Sequence, residues 1–578
     1  MARWIAVLSA AWIAGSGSAA IGGQIHRNAG AGLAMTIDTR WFLGPGYRPI
    51  PIEVRSATPQ NADRTLTVEF LSRGPGPANN YCVSTVQDIE VPAGAGQVRA
   101  VLRVPQSLGN EYRILVSEDG LLIRSLSVAG MTDTDANPGA HQGLPKVLAV
   151  AQTPTGTQSL IAALTEGIGV APQVAGMLPP FDAELAARTF PAGELLPSWL
   201  DYSNLDAICL SLDELQAVRN TPAGQAILRW TRAGGNLLVY AVERDWQRLP
   251  ELEEILGLPQ SKPATNAGAQ PSGWTTPDKK LYGEPLKGFV SDESYGYYRA
   301  AAAEPAAEKK PEPPPVPDRA PFLYRDYGMG TVVALAPSDP YADSGHDWRW
   351  LCNSLGSERL MWSQRHGVSM ARENADFWNF LIPGVGLPPV NAFRVLITLF
   401  VVIIGPVNYF LLRRWGKLHL LLVIVPASAA LVTLALFGHA LIADGLGTRV
   451  RVRSFTRIDQ RRGEAICWSR LSYYAGLAPR GGLTFSDDIA AIPIEYEPPD
   501  AGARGRDVLW EARQHLTRGW LRARTPTQFI TVRARQSDYG LSIRPSPEHP
   551  DSLVVENRLG TRIQELVVRG SDGRYFAA

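Results

Sequence analysis

Cys209, in the run Asp206-Ala-Ile-Cys-Leu-Ser211, is the residue in this chain best placed by type to act as a nucleophile. A catalytic thiol works as a thiolate held on a tight, exposed turn, and such a turn needs small neighbours. Ile208 and Leu210 flank Cys209 instead, so it reads as a buried strand cysteine. The other three cysteines, Cys82, Cys352 and Cys467, are far apart, and no pair has the CxxC or zinc-ligand spacing. None is expected to form a structural disulfide, because a disulfide-built fold carries denser cysteine. Asp339, Asp343 and Asp347 recur every four residues, but an EF-hand loop needs closer ligands and a terminal glutamate. There is no HExxH, no P-loop and no GxGxxG between a strand and a helix. The sequence therefore predicts no catalytic residue, no metal and no cofactor.

The strongest signal lies near position 400. Val395 to Leu412 carries no charge over 18 residues, and Leu418 to Ala443 carries no acidic or permanently basic residue. Each is long enough to cross about 30 Å of hydrocarbon as a helix, at about 1.5 Å per residue. The expectation is two transmembrane helices, 395–412 and 418–443, joined by a short loop holding Arg413, Arg414 and Lys417. Pro406 and Pro426 each remove an intrahelical hydrogen bond and should kink their helices. Asn408 places an amide at membrane depth, and the expected use is an interhelical hydrogen bond that pins the hairpin. Arg449, Arg451 and Arg453 follow the second helix, where anionic headgroups would meet them.

Orientation follows from the N-terminus. Arg3, an apolar stretch from Trp4 to Ala14, and small residues up to Ala20 read as a signal peptide over 1–20. Export of the next segment makes the first helix run inward. The basic loop 413–417 is then cytoplasmic, as the positive-inside rule prefers, and the N- and C-terminal domains are extracytoplasmic.

The rest of the chain supplies those domains. Charged residues make up 19% of the chain, against about 25% in an average soluble protein, which suits a membrane-embedded part. The formal net charge of +1 gives no field for nucleic acid. Residues 32–130 alternate short β-rich runs with turns such as Gly74-Pro-Gly-Pro77 and predict an immunoglobulin-like β-sandwich. From 145 to 345 strands alternate with helices, so a doubly wound α/β domain with a largely parallel sheet is expected. Thr221-Pro222 opens one helix and Gly234-Gly235 closes it. Residues 260–320, rich in Ala, Pro, Lys and Glu, predict a mobile insertion. A helical connector is expected over 346–390, and a C-terminal β-domain over 447–578.

The passage Leu228-Arg-Trp-Thr-Arg-Ala-Gly-Gly-Asn-Leu-Leu-Val-Tyr240 resembles the helix, Trp, Gly-Gly, apolar-strand element of class I glutamine amidotransferase-like domains. Gly328-Met-Gly-Thr-Val-Val-Ala-Leu-Ala336 resembles their late G-x-G strand. The resemblance covers about 145–345 and implies where catalysis would sit. The glycine-flanked elbow is not at Cys209, and His346 is followed by Asp347 and Trp348 rather than by a His-x-Glu pair. That points to a degenerate, non-enzymatic relative. The stretch Gly405-Pro-Val-Asn-Tyr-Phe-Leu-Leu-Arg-Arg-Trp415 resembles uncharacterised bacterial membrane proteins of planctomycete type. The resulting expectation is a membrane-anchored scaffold or binding protein of the cell envelope, with the lipid bilayer and a protein of the membrane or envelope as partners. The alternatives are an envelope hydrolase with an unrecognised site in the α/β domain, and an accessory subunit of a sensor or transporter complex.

Overall fold

The computed structural model describes residues 23–42, 44–57, 61–73, 81–107, 111–131, 145–152, 187–261, 271–284, 315–342, 345–368, 374–385, 390–445, 447–496, 505–547, 549, 552–570 and 573–577. The signal-peptide reading, the 74–77 turn and most of the 260–320 insertion lie outside these residues.

Nine strands come first: β1 (Ile25–Gly30), β2 (Leu33–Asp38), β3 (Gly44–Ser56), β4 (Arg64–Arg73), β5 (Tyr81–Val91), β6 (Gln97–Ser107), β7 (Glu111–Glu118), β8 (Leu121–Leu122) and β9 (Val128–Met131). β1-β2-β3-β6 form one antiparallel sheet, and β5-β4-β7-β8 lie together in another, with β9 on β7. Alternation builds the layer between them. Ile50, Ile52 and Val54 point inward from β3, as do Leu66, Val68 and Phe70 from β4, and all are buried in one apolar core.

The next unit is a six-stranded sheet. Its strands are β10 (Val147–Val150), β11 (Ala187–Phe190), β12 (Ala207–Ser211), β13 (Asn236–Tyr240), β14 (Phe322–Tyr327) and β15 (Gly330–Leu335), in the order β11-β10-β12-β13-β15-β14. All pairings are parallel except that of the edge hairpin β14–β15. The hairpin turn holds Gly328 at φ +67°. Helices α1 (Leu212–Val218), α2 (Pro222–Ala233) and α3 (Leu249–Ile255) intervene. The Thr221 hydroxyl caps α2 by accepting from the Gly224 N–H, and Gly234 ends it at φ +133°, as the Thr-Pro and Gly-Gly signals required. Ala226, Ile227 and Trp230 are buried on the inward face of α2.

The helices α4 (Gly345–Leu355), α5 (Ser357–Leu360) and α6 (Trp362–His366) belong to this unit rather than to a separate connector. Trp348, Trp350 and Leu351 of α4 share a core with Cys209, Leu238 and Val333, on one face of the sheet. Ile208, Leu210 and Leu237 turn to the other face, where α2 packs. Both faces are thus covered, which explains why these strands are continuously apolar. Within the expected mobile insertion, residues 271–284 are ordered. Trp274 is buried and donates to Glu253 Oε1 (2.8 Å), and Thr275 pairs with Tyr324.

Past α7 (Val390–Val402), α8 (Asn408–Arg414) and α9 (Leu421–Asp444) come β16 (Thr448–Asp459), β17 (Glu464–Ala475), β18 (Leu483–Ser486), β19 (Ile489–Ile494), β20 (Arg506–Trp510), β21 (Arg513–Leu516) and β22 (Thr527–Gln536), followed by two small hairpins. β16-β17-β22-β19 form a four-stranded antiparallel sheet. β18, β21 and β20 do not join it. β20 instead lies parallel to β5, with Val508 opposite Thr85, so the first and last parts of the chain complete one eight-stranded sheet. Tyr47 pins this junction. It is fully buried, donates to Gln514 Oε1 (2.6 Å) and accepts from the Ala491 N–H (3.1 Å). The expected independent C-terminal domain is therefore continuous with the N-terminal one.

Candidate functional site

Three places gather the residues that could serve a function: the apolar hairpin, the carboxyl ends of the parallel strands, and their amino ends.

In the hairpin, Ile397–Arg414 is 18 residues long and apolar enough to cross a membrane, and only 6% of it is buried. Leu399, Val401 and Phe410 are exposed, as are Leu422, Val423 and Leu431 on α9. Among the described residues this is one candidate span rather than the two expected, and the second apolar stretch found there is Leu418–Leu434. Pro406 lies in a π-helical turn, Ile403–Val407, between α7 and α8, the distortion that a missing N–H produces. Pro426 sits inside α9. Arg413 and Arg414 are exposed in the last turn of α8, where cations suit the helix dipole. Gly416 at φ +67° turns the chain to the exposed Lys417. Among the described residues the interhelical bond expected of Asn408 is not formed. Its Nδ2 is buried without a hydrogen-bond partner among the described residues.

The three arginines after the hairpin part company. Arg449 is exposed. Arg451 stacks on Phe380 (4.6 Å) and donates to the Leu381 carbonyl (2.7 Å), and Arg453 also faces that ring (6.0 Å). Arg470 adds a third guanidinium at 5.2 Å. Arg451 is thus committed to the Ala375–Phe380 turn rather than held out for lipid.

At the carboxyl ends, where open α/β sheets place ligands, Cys209 lies on a straight strand, paired to Ala149 on one side and Leu238 on the other. Burial pushes its thiol up to about 12, with Tyr341 beside it. The elbow geometry is absent at this cysteine. Cys352, Cys209 and Cys467 carry free thiols. Ser211 and Glu214 bond each other (3.0 Å), but as the capping box of α1. Ala241, Glu243, Asp245 and Trp246 follow β13 at positive φ, a concentration of left-handed backbone.

At the amino ends there is a buried polar joint. The Asp206 carboxylate accepts the Lys146 N–H (2.9 Å) and faces Arg365 (3.6 Å). Burial raises its pKa to about 6 and lowers that of Lys146 to about 8. Arg365 also donates to the Leu205 carbonyl (2.8 Å), and Asn236 donates to the carbonyls of Asp206 and Arg359 (2.8 Å each). Next door, burial holds His366 well below its ordinary pKa, so it is neutral at pH 7, and it stacks on Trp468 of β17 (4.9 Å). The Trp468 indole donates to the Ala233 carbonyl (2.9 Å), and Trp362 donates to the Ser203 carbonyl (2.8 Å). The Ser203 hydroxyl accepts the Tyr47 N–H (2.9 Å). The joint thus fastens the first sandwich, the α/β sheet and the last β-sheet together. Sequence reading missed it because Asp206 and Arg365 are far apart in the chain and match no motif.

No family model matches the chain, and no curated protein matches it. Solved structures similar to parts of it include a candidate lipoprotein from Bacillus anthracis, at 5% identity over 20% of this chain and 88% of that one, TM-score 0.13. A Paenibacillus cycloisomaltooligosaccharide glucanotransferase matches at 11% identity over 34% of this chain and 26% of that one, TM-score 0.15. Bacteroides uniformis beta-glucuronidase 2 matches at 10% identity over 39% and 35%, TM-score 0.18. The chain spans about a quarter to a third of the two enzymes' length, and at these TM-scores none of the three carries an argument about this chain's fold or function.

Proposed function

We propose that this protein is a membrane-anchored scaffold or binding protein of the bacterial envelope, held by a two-helix hairpin with its remaining domains together outside. The observation that carries this reading is the sheet shared across the hairpin. β5 precedes the apolar helices and β20 follows them, yet they are hydrogen-bonded neighbours. Two strands of one sheet occupy the same side of a bilayer, so the chain between them crosses an even number of times. If Ile397–Arg414 crosses outward to inward, α9 returns. The signal-peptide reading and the basic loop 413–417 choose the outside for the sheets. The packed Cys209 and the polar joint support binding or spacing over catalysis. We further read 145–345 as a non-catalytic relative of amidotransferase-like domains, supported by the parallel strands and the capped passage α2–Gly234–β13.

Protease added to intact spheroplasts tests this. Tags at either terminus should be digested, while a cysteine placed at Trp415 should react only with membrane-permeant maleimide. Protection of the tags, or extraction of the protein without detergent, overturns the reading. Asn408 favours a second reading, an accessory subunit in a larger membrane complex, because its Nδ2 is buried without a partner among the described residues. Loss of a co-purifying membrane protein in Asn408→Leu would support that reading.

A further inference from the structure

Away from the hairpin and the polar joint, a cavity of about 180 Å³ opens between the α/β unit and the β16–β17 hairpin. Four arginines line it: Arg232 from the end of α2, Arg325 from β14, Arg457 from β16 and Arg462 from the β16–β17 turn. Three carboxylates, Asp326, Asp459 and Glu464, line it too, which leaves one net positive charge on the wall.

The carboxylates do not use up the donors. Arg232, with a side chain 9% exposed, gives one nitrogen to Glu464 (2.7 Å) and one to the Tyr327 hydroxyl (2.8 Å). Its Nε is buried and makes no hydrogen bond among the described residues. Arg325 Nη1 is likewise buried without a hydrogen bond, and its nearest carboxylate, Glu253, stands off at 3.8 Å. Arg457 binds the Gly328 carbonyl through one nitrogen and is otherwise exposed. Arg462 is filled by Asp459 and by the carbonyls of Leu256 and Gly257. A buried guanidinium N–H without an acceptor costs stability, and these two nitrogens lie behind the cavity wall, so a shift of their side chains would present them to an acceptor held by the exposed Arg457. The spare donors come singly from different arginines rather than as one planar fork. That distribution suits the several oxygens of a phosphate better than the two coplanar oxygens of a carboxylate.

We propose that this cavity binds a phosphate group, free or carried on a lipid headgroup. Because Arg232 and Arg325 precede the hairpin while Arg457 and Arg462 follow it, occupancy would tie the two halves of the exported body together. The proposal does not depend on which side of the membrane that body occupies.

The test is thermal unfolding and calorimetry of the full chain in detergent, at fixed ionic strength. The probes are inorganic phosphate and, below its micelle concentration, dihexanoyl phosphatidylglycerol. Saturable binding with a rise in Tm is expected for one probe or both, and which probe binds identifies the source. Arg325→Gln with Arg457→Gln should weaken it about tenfold or more, the worth of one charge-assisted hydrogen bond, whereas Arg457→Lys, which keeps the charge, should retain most of it. Equal effects of phosphate and matched chloride, or unchanged binding in the double variant, overturn the proposal. Circular dichroism of the variants separates lost binding from lost fold.

Discussion

Replacing Tyr47 by phenylalanine removes a single oxygen from the junction between the first and last parts of the chain. That oxygen donates to Gln514 Oε1 (2.6 Å) and accepts from the Ala491 N–H (3.1 Å) in a fully buried site. Phenylalanine fills the same space, so there is no cavity term. What remains is two buried polar groups without partners, each worth about 1–3 kcal/mol, or on the order of 3–4 kcal/mol together. If that cost falls on a cooperative unit that includes both β3 and β19–β21, local opening there accelerates by roughly 100- to 1000-fold. Hydrogen exchange of the detergent-solubilised chain reads this directly. Peptides covering 44–56 and 489–516 should speed up together, while peptides of the α/β sheet far from Tyr47 change little. Acceleration confined to 44–56, or below about threefold in both, would refute the claim that the two ends fold as one body.

Further expectations follow from other sites. Cys209 and Cys352, both buried with thiols pushed up to about 12, should resist alkylation at pH 8 until the protein unfolds, while the half-buried Cys467 reacts in the native state; mass spectrometry of iodoacetamide-treated protein separates them. Asp206, raised from 3.8 to about 6, contributes stability that is full below pH 3.8 and lost as pH rises through 6. The stability difference between the wild type and Asp206→Asn should therefore vary across that window and flatten above it. Lys146, lowered from 10.5 to about 8, contributes stability present above pH 10.5 and lost as pH falls through 8, so the comparison with Lys146→Met should vary only on the alkaline side. Trp468→Ala removes the indole bond to Ala233 and the ring over His366, at a cost of about 3–5 kcal/mol. It should also bring the His366 titration, followed by NMR, back toward its ordinary range.

Local features were legible in the sequence where the cause is local. The caps of α2, the alternation in β3 and β4, the packed environment of Cys209 and the uncharged run through Ile397 all rest on neighbours within a few residues. The distortion at Pro406 was legible for the same reason. What escaped was long-range. Nothing near Tyr47 announces Gln514, and the edge that β5 offers to β20 is invisible until both strands are placed. The polar joint draws Lys146, Asp206, Arg365 and Trp468 from four separate stretches, and the arginines of the cavity are equally scattered. Asn408 shows the converse. Its place in an apolar helix was readable, but the want of a partner for its Nδ2 among the described residues depends on how α8 and α9 pack.

The pairing of β5 with β20 also sets a timetable for biogenesis. Tyr47 and Gln514 are 467 residues apart, so the earliest strands to emerge must persist with a bare edge while most of the polypeptide is still being made. Under the proposed topology, closing that edge demands a second translocation event after the helices have inserted, since everything from β16 onward must follow to the same compartment. Such non-local closure is intrinsically slow, and an unpaired strand edge invites aggregation meanwhile. If the proposed topology holds, cells depleted of export chaperones should accumulate this protein as a half-assembled precursor that is rapidly degraded.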